Sequence, residues 1–494
     1  MRQSETSSLT PSGVSKPRSS SWRYVLLLLL FLVALALRVG LAVHFPSVPH
    51  PDEIFQTQEP AHRLAYGYGV IYWEWRQGVR SWVFPAFLAG VMRATDWTGA
   101  GSSGYLRGIV VVLSAISLVA VWFGFAWAKR ASGIEAAIIA AGACATWWEL
   151  LYFAPRALTE VIAGHILLPG LYLGIYGEKL EERKRFFLAG LFCGLAMSLR
   201  IQLAPAVAFA ALYFCRTNWR KRSPAVAAGL LLPVLAFGLV DAFTWSYPFQ
   251  SFFLYFWVNV VKGRAAIYGT APWSWYAYML AKHFGPILIL ALMGVRRSPF
   301  LGWIAFFILA PLSIIGHKEI RFLYPLVPIV ITLAAIGIVR IAAELNAWIK
   351  SPLSPRSIVF TGLAFCVITS GFVGSQFSGW YELPTVVRAF DKLSQDSTLC
   401  GVGLYWAVFS GGYTHLHQKV PMIVIPEGVR LTGETASFNA LFTKRDPINA
   451  INAKDGFKLE ECWSGGGCLY RRPGSCAPPP QGGEINAFLQ RRGE

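Results

Sequence analysis

GIVVVLSAISLVAVWFGFAWA, residues Gly108–Ala128, carries no charged side chain, and Lys129-Arg130 follow it directly. Roughly 17–25 apolar residues are enough for a helix to cross a hydrocarbon core. Lipid offers no hydrogen-bond partner to a backbone, so such a run must be helical. Val25–Val43 and Phe322–Ile338 read the same way, and similar runs recur along the chain. Of the 494 residues, 55% are hydrophobic and 14% charged, whereas ordinary soluble domains carry about 25% charged residues. A polar shell that thin cannot cover so much apolar sequence. The chain is therefore read as an all-α polytopic membrane protein.

The net charge of +18 raises the question of nucleic acid, because basic surfaces attract phosphates. The basic residues instead form short clusters between apolar runs: Lys129-Arg130, Arg183-Lys184-Arg185, Arg220-Lys221-Arg222, Arg296-Arg297, and Lys350 with Arg356. Topogenic charge is distributed in this way on the cytoplasmic side, and no nucleic-acid partner is expected. The first apolar run is too long for a signal-peptide core, and no small-residue cleavage site follows it, so it reads as a permanent span. Residues 1–23, with Arg2, Lys16, Arg18 and Arg23, read as a disordered cytoplasmic tail. Alternating from there yields about eleven spans over 24–374. The pair near Phe186–Cys215 is short enough to be re-entrant or tilted.

The same alternation places outside the stretch from His50 to about Tyr105, the Pro155-Arg156 corner, Trp245 to about His283, and Gly316–Arg321. Residues 375–494 contain no spanning run and are polar with Gly- and Pro-rich stretches, as in a separate outer domain of mixed α/β structure. Cys400, Cys462, Cys468 and Cys476 all lie there and suit disulfides, with three pairings open, better than zinc, because no C-x-x-C pair is present. Cys144, Cys193, Cys215 and Cys366 lie in or beside spans, as small apolar side chains.

The first outer loop opens with His50-Pro51-Asp52-Glu53-Ile54-Phe55-Gln56. Two adjacent carboxylates at a membrane surface are costly to hold there, because burial favours the neutral form. A carboxylate made more basic in this way can serve as a general base. The loop continues through Glu59, His62, Tyr66-Gly67-Tyr68-Gly69, Trp73-Glu74-Trp75 and Arg80-Ser81. It is too long to be a plain connector, and its aromatics suit either sugar stacking or the interfacial belt. A later loop holds Asn259, Lys262, Arg264 and Tyr268 through Trp273 to Tyr276, which suits a phosphate with a sugar or isoprenoid, or interfacial anchoring. His317-Lys318-Glu319-Ile320-Arg321 is sharper. If helical, it sets His317 and Arg321 on one face, and His, Lys and Arg together make a phosphate clamp, with Glu319 balancing charge. This basic cluster lies on the side the positive-inside rule disfavours. Arg156 and Arg200 also sit near outer ends of spans, where lone arginines usually snorkel.

These motifs resemble family 22 glycosyltransferases, the α-mannosyltransferases of glycosylphosphatidylinositol (GPI)-anchor and dolichol-linked oligosaccharide assembly. His50-Pro51-Asp52-Glu53 through Arg80-Ser81 is similar to that family's first lumenal loop. Arg156-Ala157-Leu158-Thr159-Glu160 resembles its Arg-Thr-Leu-Thr element, with Ala157 departing. Tyr268–Tyr276 resembles its Tyr-Gly-Thr/Ser-x-Pro-Trp-His-Trp-Tyr segment, with Ser274 in place of His, and His317–Phe322 matches His-Lys-Glu-x-Arg-Phe. The likeness spans roughly 45–330, in order, as a divergent member.

The resemblance implies a GT-C fold and an inverting transfer of mannose from a polyprenyl (dolichyl)-phosphate donor to a lipid-linked glycan. Asp52 would be the base, assisted or replaced by Glu53. His317, Lys318, Arg321 and Arg156 would hold the donor phosphate. Glu59, His62, Glu74, Arg80, Lys262, Tyr268, Trp273 and Glu319 would line the substrate site. No cofactor or metal is expected, and the enzyme is read as a monomer among membrane lipids, active on the non-cytoplasmic face. That membrane is the endoplasmic reticulum in a eukaryote or the inner membrane in a bacterium. Two rivals are a transferase of the same fold using another polyprenyl-phosphate sugar, and a polar-lipid transporter. The transporter would need charges along the spans and an internal repeat; no repeat is visible, and the spans read as nearly charge-free.

Overall fold

The computed structural model describes residues 21–492 except 100, 350, 406, 408–409, 426–436, 445–455 and 465, with backbone alone for 21–27. Of the expected tail, residues 1–20 lie outside the described residues. The described chain is mostly helical. Five helices are long and apolar enough to cross a membrane: Gly101–Ser132, Thr159–Tyr176, Trp219–Thr244, Ile320–Asn346 and Pro355–Ser375. The bent pair Trp275–Phe284 and Pro286–Val295, whose axes differ by 104°, makes a sixth if the two count as one broken span and a re-entrant loop if they do not. The bend falls at Gly285, whose φ of 52° suits glycine, and Pro286 then opens the second helix where a missing N–H is harmless. The sequence expectation of about eleven crossings thus gives way to five or six among the described residues. The other apolar helices, such as Ile134–Thr146 and Pro299–Ile314, are only 10–17 residues long, and runs interrupted by glycine, proline or arginine fold as broken pieces. Near Phe186–Cys215 the chain breaks after Leu199, leaving Glu182–Leu199 and a short Ala204–Cys215.

Small residues let the helices approach closely. A Cβ on Gly337 would lie 1.9 Å from the Leu290 carbonyl, and one on Gly294 1.9 Å from that of Leu333. Gly190, Gly194 and Gly229 do the same between Glu182–Leu199 and Trp219–Thr244. Without a hydrophobic force between helices in lipid, such contact is what holds them together.

The spans are less free of charge than expected. Arg38 is fully buried and donates to the carbonyls of Ala34, Cys144 and Ala145 and to Ser117 Oγ. Glu149 pairs with His283 at 3.1 Å, and Asp241 accepts from the Ser251 N–H and hydroxyl. These groups are paired internally and cross-link helices; they do not line a path.

The carboxyl-terminal part carries five strands: β1 (Val402–Tyr405), β2 (Met422–Ile425), β3 (Ala440–Thr443), β4 (Lys458–Trp463) and β5 (Gly467–Arg471), in the order β2-β1-β3-β5-β4. The first three are parallel and nearly wholly buried, while β5 runs antiparallel to β3 and β4. Of the three open pairings the structure has Cys400–Cys476 and Cys462–Cys468. The four remaining cysteines are buried and free.

This part has a small core of its own, Ile423, Ile425, Phe438 and Leu441, and shares a second core with the first outer loop. Ile54, Phe55 and Val70 of the first outer loop pack in one cluster with Val387, Phe390, Leu404, Phe442 and Leu489. The loop expected to carry the active site thus also packs against the sheet.

Candidate active site

Pro51 and Asp52 lead into a π-helical turn, Glu53–Gln58, continued by the helix Glu59–Tyr66, which Gly67 ends at φ 85°. π-turns are uncommon and cluster at functional positions. Ile54 and Phe55 face the sheet's core, and Trp75 Nε1 donates to the Phe55 carbonyl at 3.0 Å. The turn is therefore fixed, and Asp52 projects from its free end. The two adjacent acids have unlike surroundings: the Asp52 side chain is 36% exposed, that of Glu53 only 5%. Glu53 accepts the Ala157 N–H at 3.1 Å, with Arg156 at 3.7 Å. Burial pushes its pKa up despite that arginine.

Asp52 bonds Arg321, which is the hub of the site. Arg321 is 3% exposed; it grips Glu319 with two prongs at 2.7 and 2.8 Å and meets Glu160 at 2.9 Å. Residues 315–319 bend and are not helical, and a 3-10 helix begins only at Ile320. His317 and Arg321 therefore do not share a helix face as expected; both converge on the carboxylate between them. His317 donates from Nδ1 to the Gly269 carbonyl at 2.9 Å and from Nε2 to Glu319 at 3.1 Å, and the second bond raises its pKa. Burial disfavours the Glu319 carboxylate, yet His317 and Arg321 outweigh it and hold its pKa well below the usual range. His50, 3.7 Å from Glu319, is pushed down by burial and by Arg321.

The four-member phosphate clamp is not assembled in this arrangement. Arg321 is neutralised by three carboxylates. Lys318 is buried and donates to the Ile315 carbonyl. Arg156 bonds the Ser47 carbonyl and hydroxyl and lies over the Tyr152 ring. Each cation is spent on protein partners because burial of an unpaired charge is prohibitive.

The other expected substrate contacts divide. Glu74 and Arg80 pair at 2.7 Å; burial raises the Glu74 pKa although Arg80 opposes it. Glu59 is fully buried and takes the Val70 N–H at 2.6 Å and the Thr414 N–H and hydroxyl at 2.5 and 2.6 Å. His62 donates from Nδ1 to the Tyr68 carbonyl at 2.9 Å, and its Nε2 shares a hydrogen bond with His417 Nδ1 at 3.1 Å. Both therefore join the first loop to the carboxyl-terminal part, and neither faces a substrate space. Lys262, Tyr268 and Trp273 are exposed, Trp273 at 76%. Neighbouring Arg264 stacks over Trp73 at 3.9 Å.

A small open cleft of about 70 Å³ lies beside the π-turn. Gln56 and Thr57 of the π-turn border it, with Arg80, Thr159 and Arg200. Phe84, Phe237 and Phe252 form an apolar part of its wall. Glu160 and Arg200 are the residues that sequence reasoning undervalued. Glu160 stood inside a recognised motif, and Arg200 looked like any span-end arginine. Ala157 departs from the motif at little cost, because its backbone N–H and carbonyl bond Glu53 and Thr57. Among the described residues no three His, Cys, Asp or Glu side chains are grouped to hold a metal ion.

A long helical membrane part with a small appended sheet is the architecture of the membrane-embedded glycosyltransferases of the GT-C fold, which this chain shares. ArnT from Cupriavidus metallidurans bound to undecaprenyl phosphate superposes with a TM-score of 0.63 over 94% of this chain and 100% of that one, at 13% identity. The Archaeoglobus fulgidus oligosaccharyltransferase gives 0.53 over 84% and 68% at 12% identity. The chain belongs to the Alg9-like mannosyltransferase family, whose profile matches residues 29–402. GPI mannosyltransferase 3 of Yarrowia lipolytica is 27% identical over 401 residues, 79% of this chain and 75% of that protein. The mouse GPI alpha-1,2-mannosyltransferase 3 is 25% identical over 430 residues, 83% and 75%.

Proposed function

We propose that this enzyme transfers mannose, with inversion, from a polyprenyl (dolichyl)-phosphate donor to a hydroxyl of a lipid-linked glycan of the GPI type, on the non-cytoplasmic face. The observation that carries this is Asp52: a partly exposed carboxylate anchored by a buried arginine, at the start of the turn whose Gln56 and Thr57 border a cleft lined in part by polar and in part by apolar side chains. A lipid-phosphate sugar has the same division. Asp52 takes the acceptor hydroxyl proton as the oxygen attacks the anomeric carbon. The carbon–oxygen bond to phosphate breaks, and the polyprenyl phosphate leaves with the bonding electrons. Glu53, shielded and held by Ala157, positions the turn. Arg321 holds Asp52 in place through their ion pair between turnovers. Guanidinium groups suffice to offset the leaving phosphate, so no metal is expected. The GPI-type acceptor is supported by the names of the relatives.

The test uses purified full-length protein, polyprenyl-phosphate [14C]mannose and a panel of lipid-linked acceptors, with and without chelator. Label should move to a GPI-type mannolipid in wild type and in chelator, and should not move in Asp52→Asn. Transfer only from the glucose or arabinose donor would reassign the sugar. Movement of lipid without a new glycosidic bond would sink the transferase reading.

A further inference from the structure

We propose that Arg200 is the ligand of the donor phosphate, and that Ser81, Ser198 and Gln202 around it take the donor's hydroxyl groups. This rests on the lipid-phosphate donor above and moves the phosphate away from His317, Lys318 and Arg321. The buried arginines near the cleft differ in what they still have to give. Arg321 has three carboxylates, Arg80 holds Glu74 at 2.7 Å, and Arg156 is bonded twice to Ser47. Arg200 has only long contacts, to the Thr159 hydroxyl at 3.4 Å and to Glu160 at 3.6 Å. It is 7% exposed, its plane lies 4.9 Å from the Phe322 ring centre, and it lines the cleft. A held, desolvated guanidinium with donors to spare suits a phosphate, which takes two parallel N–H bonds from such a fork.

The groups beside it point to the same ligand. Ser198 Oγ, Ser81 Oγ and Gln202 Oε1 are shielded from solvent without a protein partner, and all three residues line this cleft. An unmade bond at a buried polar atom costs about 1–3 kcal/mol, and three in one cleft mark a surface completed by a hydroxyl-rich ligand. Gln202 is fixed by its amide, which donates to the Tyr255 hydroxyl at 2.5 Å. The phenylalanine wall then receives the first isoprene units.

The experiment measures binding of dolichyl phosphate, which carries no sugar, to full-length protein in nanodiscs, alongside steady-state mannose transfer. Arg200→Gln should weaken binding at least about tenfold, roughly the loss of one charge-assisted bond. Lys318→Ala should bind as wild type does. Ser198→Ala and Gln202→Leu should leave dolichyl phosphate binding unchanged while raising KM for the mannosylated donor more than they lower kcat. Wild-type affinity in Arg200→Gln, or loss in Lys318→Ala instead, overturns the assignment but leaves the donor class intact. If Arg200→Gln does not fold, Arg200→Lys decides, since it keeps charge and loses the fork: unchanged affinity overturns the proposal. If neither folds, an unmoved donor KM in Ser198→Ala does so. A wild type that binds no dolichyl phosphate and uses no polyprenyl donor defeats the parent reading instead.

Discussion

At the scale of single residues, the acids at 52 and 53 show how one step along a chain separates chemistry from support. Asp52 keeps a face to solvent and a counter-ion behind it. Glu53 is enclosed, and burial favours its protonated form. General-base catalysis contributes about 10²–10⁴-fold, so Asp52→Asn should lower kcat by at least about 10²-fold with the melting temperature little changed. Glu53→Gln keeps the acceptor for the Ala157 N–H and mimics the neutral acid. It should retain turnover within about tenfold, whereas Glu53→Ala, leaving Ala157 unpaired, should cost about 1–3 kcal/mol of stability. Parallel kcat and thermal-unfolding measurements check both. Equal losses of turnover at the two positions would mean that Glu53 shares the proton transfer.

At the scale of elements, two contacts set the geometry of the site. The first is the glycine seam between the helices Pro286–Val295 and Val327–Asn346. A methyl on Gly337 would meet the Leu290 carbonyl at 1.9 Å, and neither backbone can yield without parting the helices. Gly337→Val should lower the melting temperature in detergent, and Gly90→Ala, with nothing within 4 Å, should not. The second is the seam between the first loop and the carboxyl-terminal part, where His62 Nε2 faces His417 Nδ1 at 3.1 Å. Burial chiefly depresses the His62 pKa from 6.5 to about 4, and burial also lowers that of His417. Asp96 opposes the shift at both histidines, and each charged ring would repel the other. The unfolded chain therefore binds more protons than the folded one between pH 6.5 and about 4, so stability is present above 6.5 and drains away as pH falls through that window. Hydrogen exchange at residues 412–417 should accelerate from pH 7 to 5 after correction for intrinsic rates, and less so in His62→Gln. A flat profile in the wild type would show that the pair does not govern docking.

At the scale of the whole molecule, the sheet-bearing part serves as a brace on the catalytic turn. Asn486 accepts the Ile71 N–H, donates to the Gly69 carbonyl and offers its own carbonyl to Arg76. The Cys400–Cys476 bridge, spanning 76 residues, tethers the segment that leads to Asn486. Removing a bridge of this kind typically costs about 2–5 kcal/mol. Cys400→Ser with Cys476→Ser should expose residues 473–484 to protease and lower turnover, and Cys462→Ser with Cys468→Ser, which opens only the β4–β5 hairpin, should do so less. Equal effects would argue that the bridges stabilise the sheet alone.

The amino-acid sequence by itself determined the helical membrane class, the family and the members of the charged motifs. Apolar runs in lipid have one backbone solution, and Asp52, Glu53 and His317–Arg321 stand in short local patterns that need no partner to be noticed. It overcounted the crossings, because length and hydropathy do not reveal where glycine and proline break a run, as at Gly285-Pro286. Only the tertiary structure decided what each charge does. Arg321 looked like a free phosphate ligand, but the fold brings it Asp52 from 269 residues away and Glu160 from another helix. Glu59 and His62 looked like substrate contacts, but Thr414 and His417, each 355 residues on, occupy them. Arg200 looked incidental until its weak partners and its cleft were seen together. Charge interactions depend on distance and on the water excluded between groups, and neither is written in the spacing of residues along the chain.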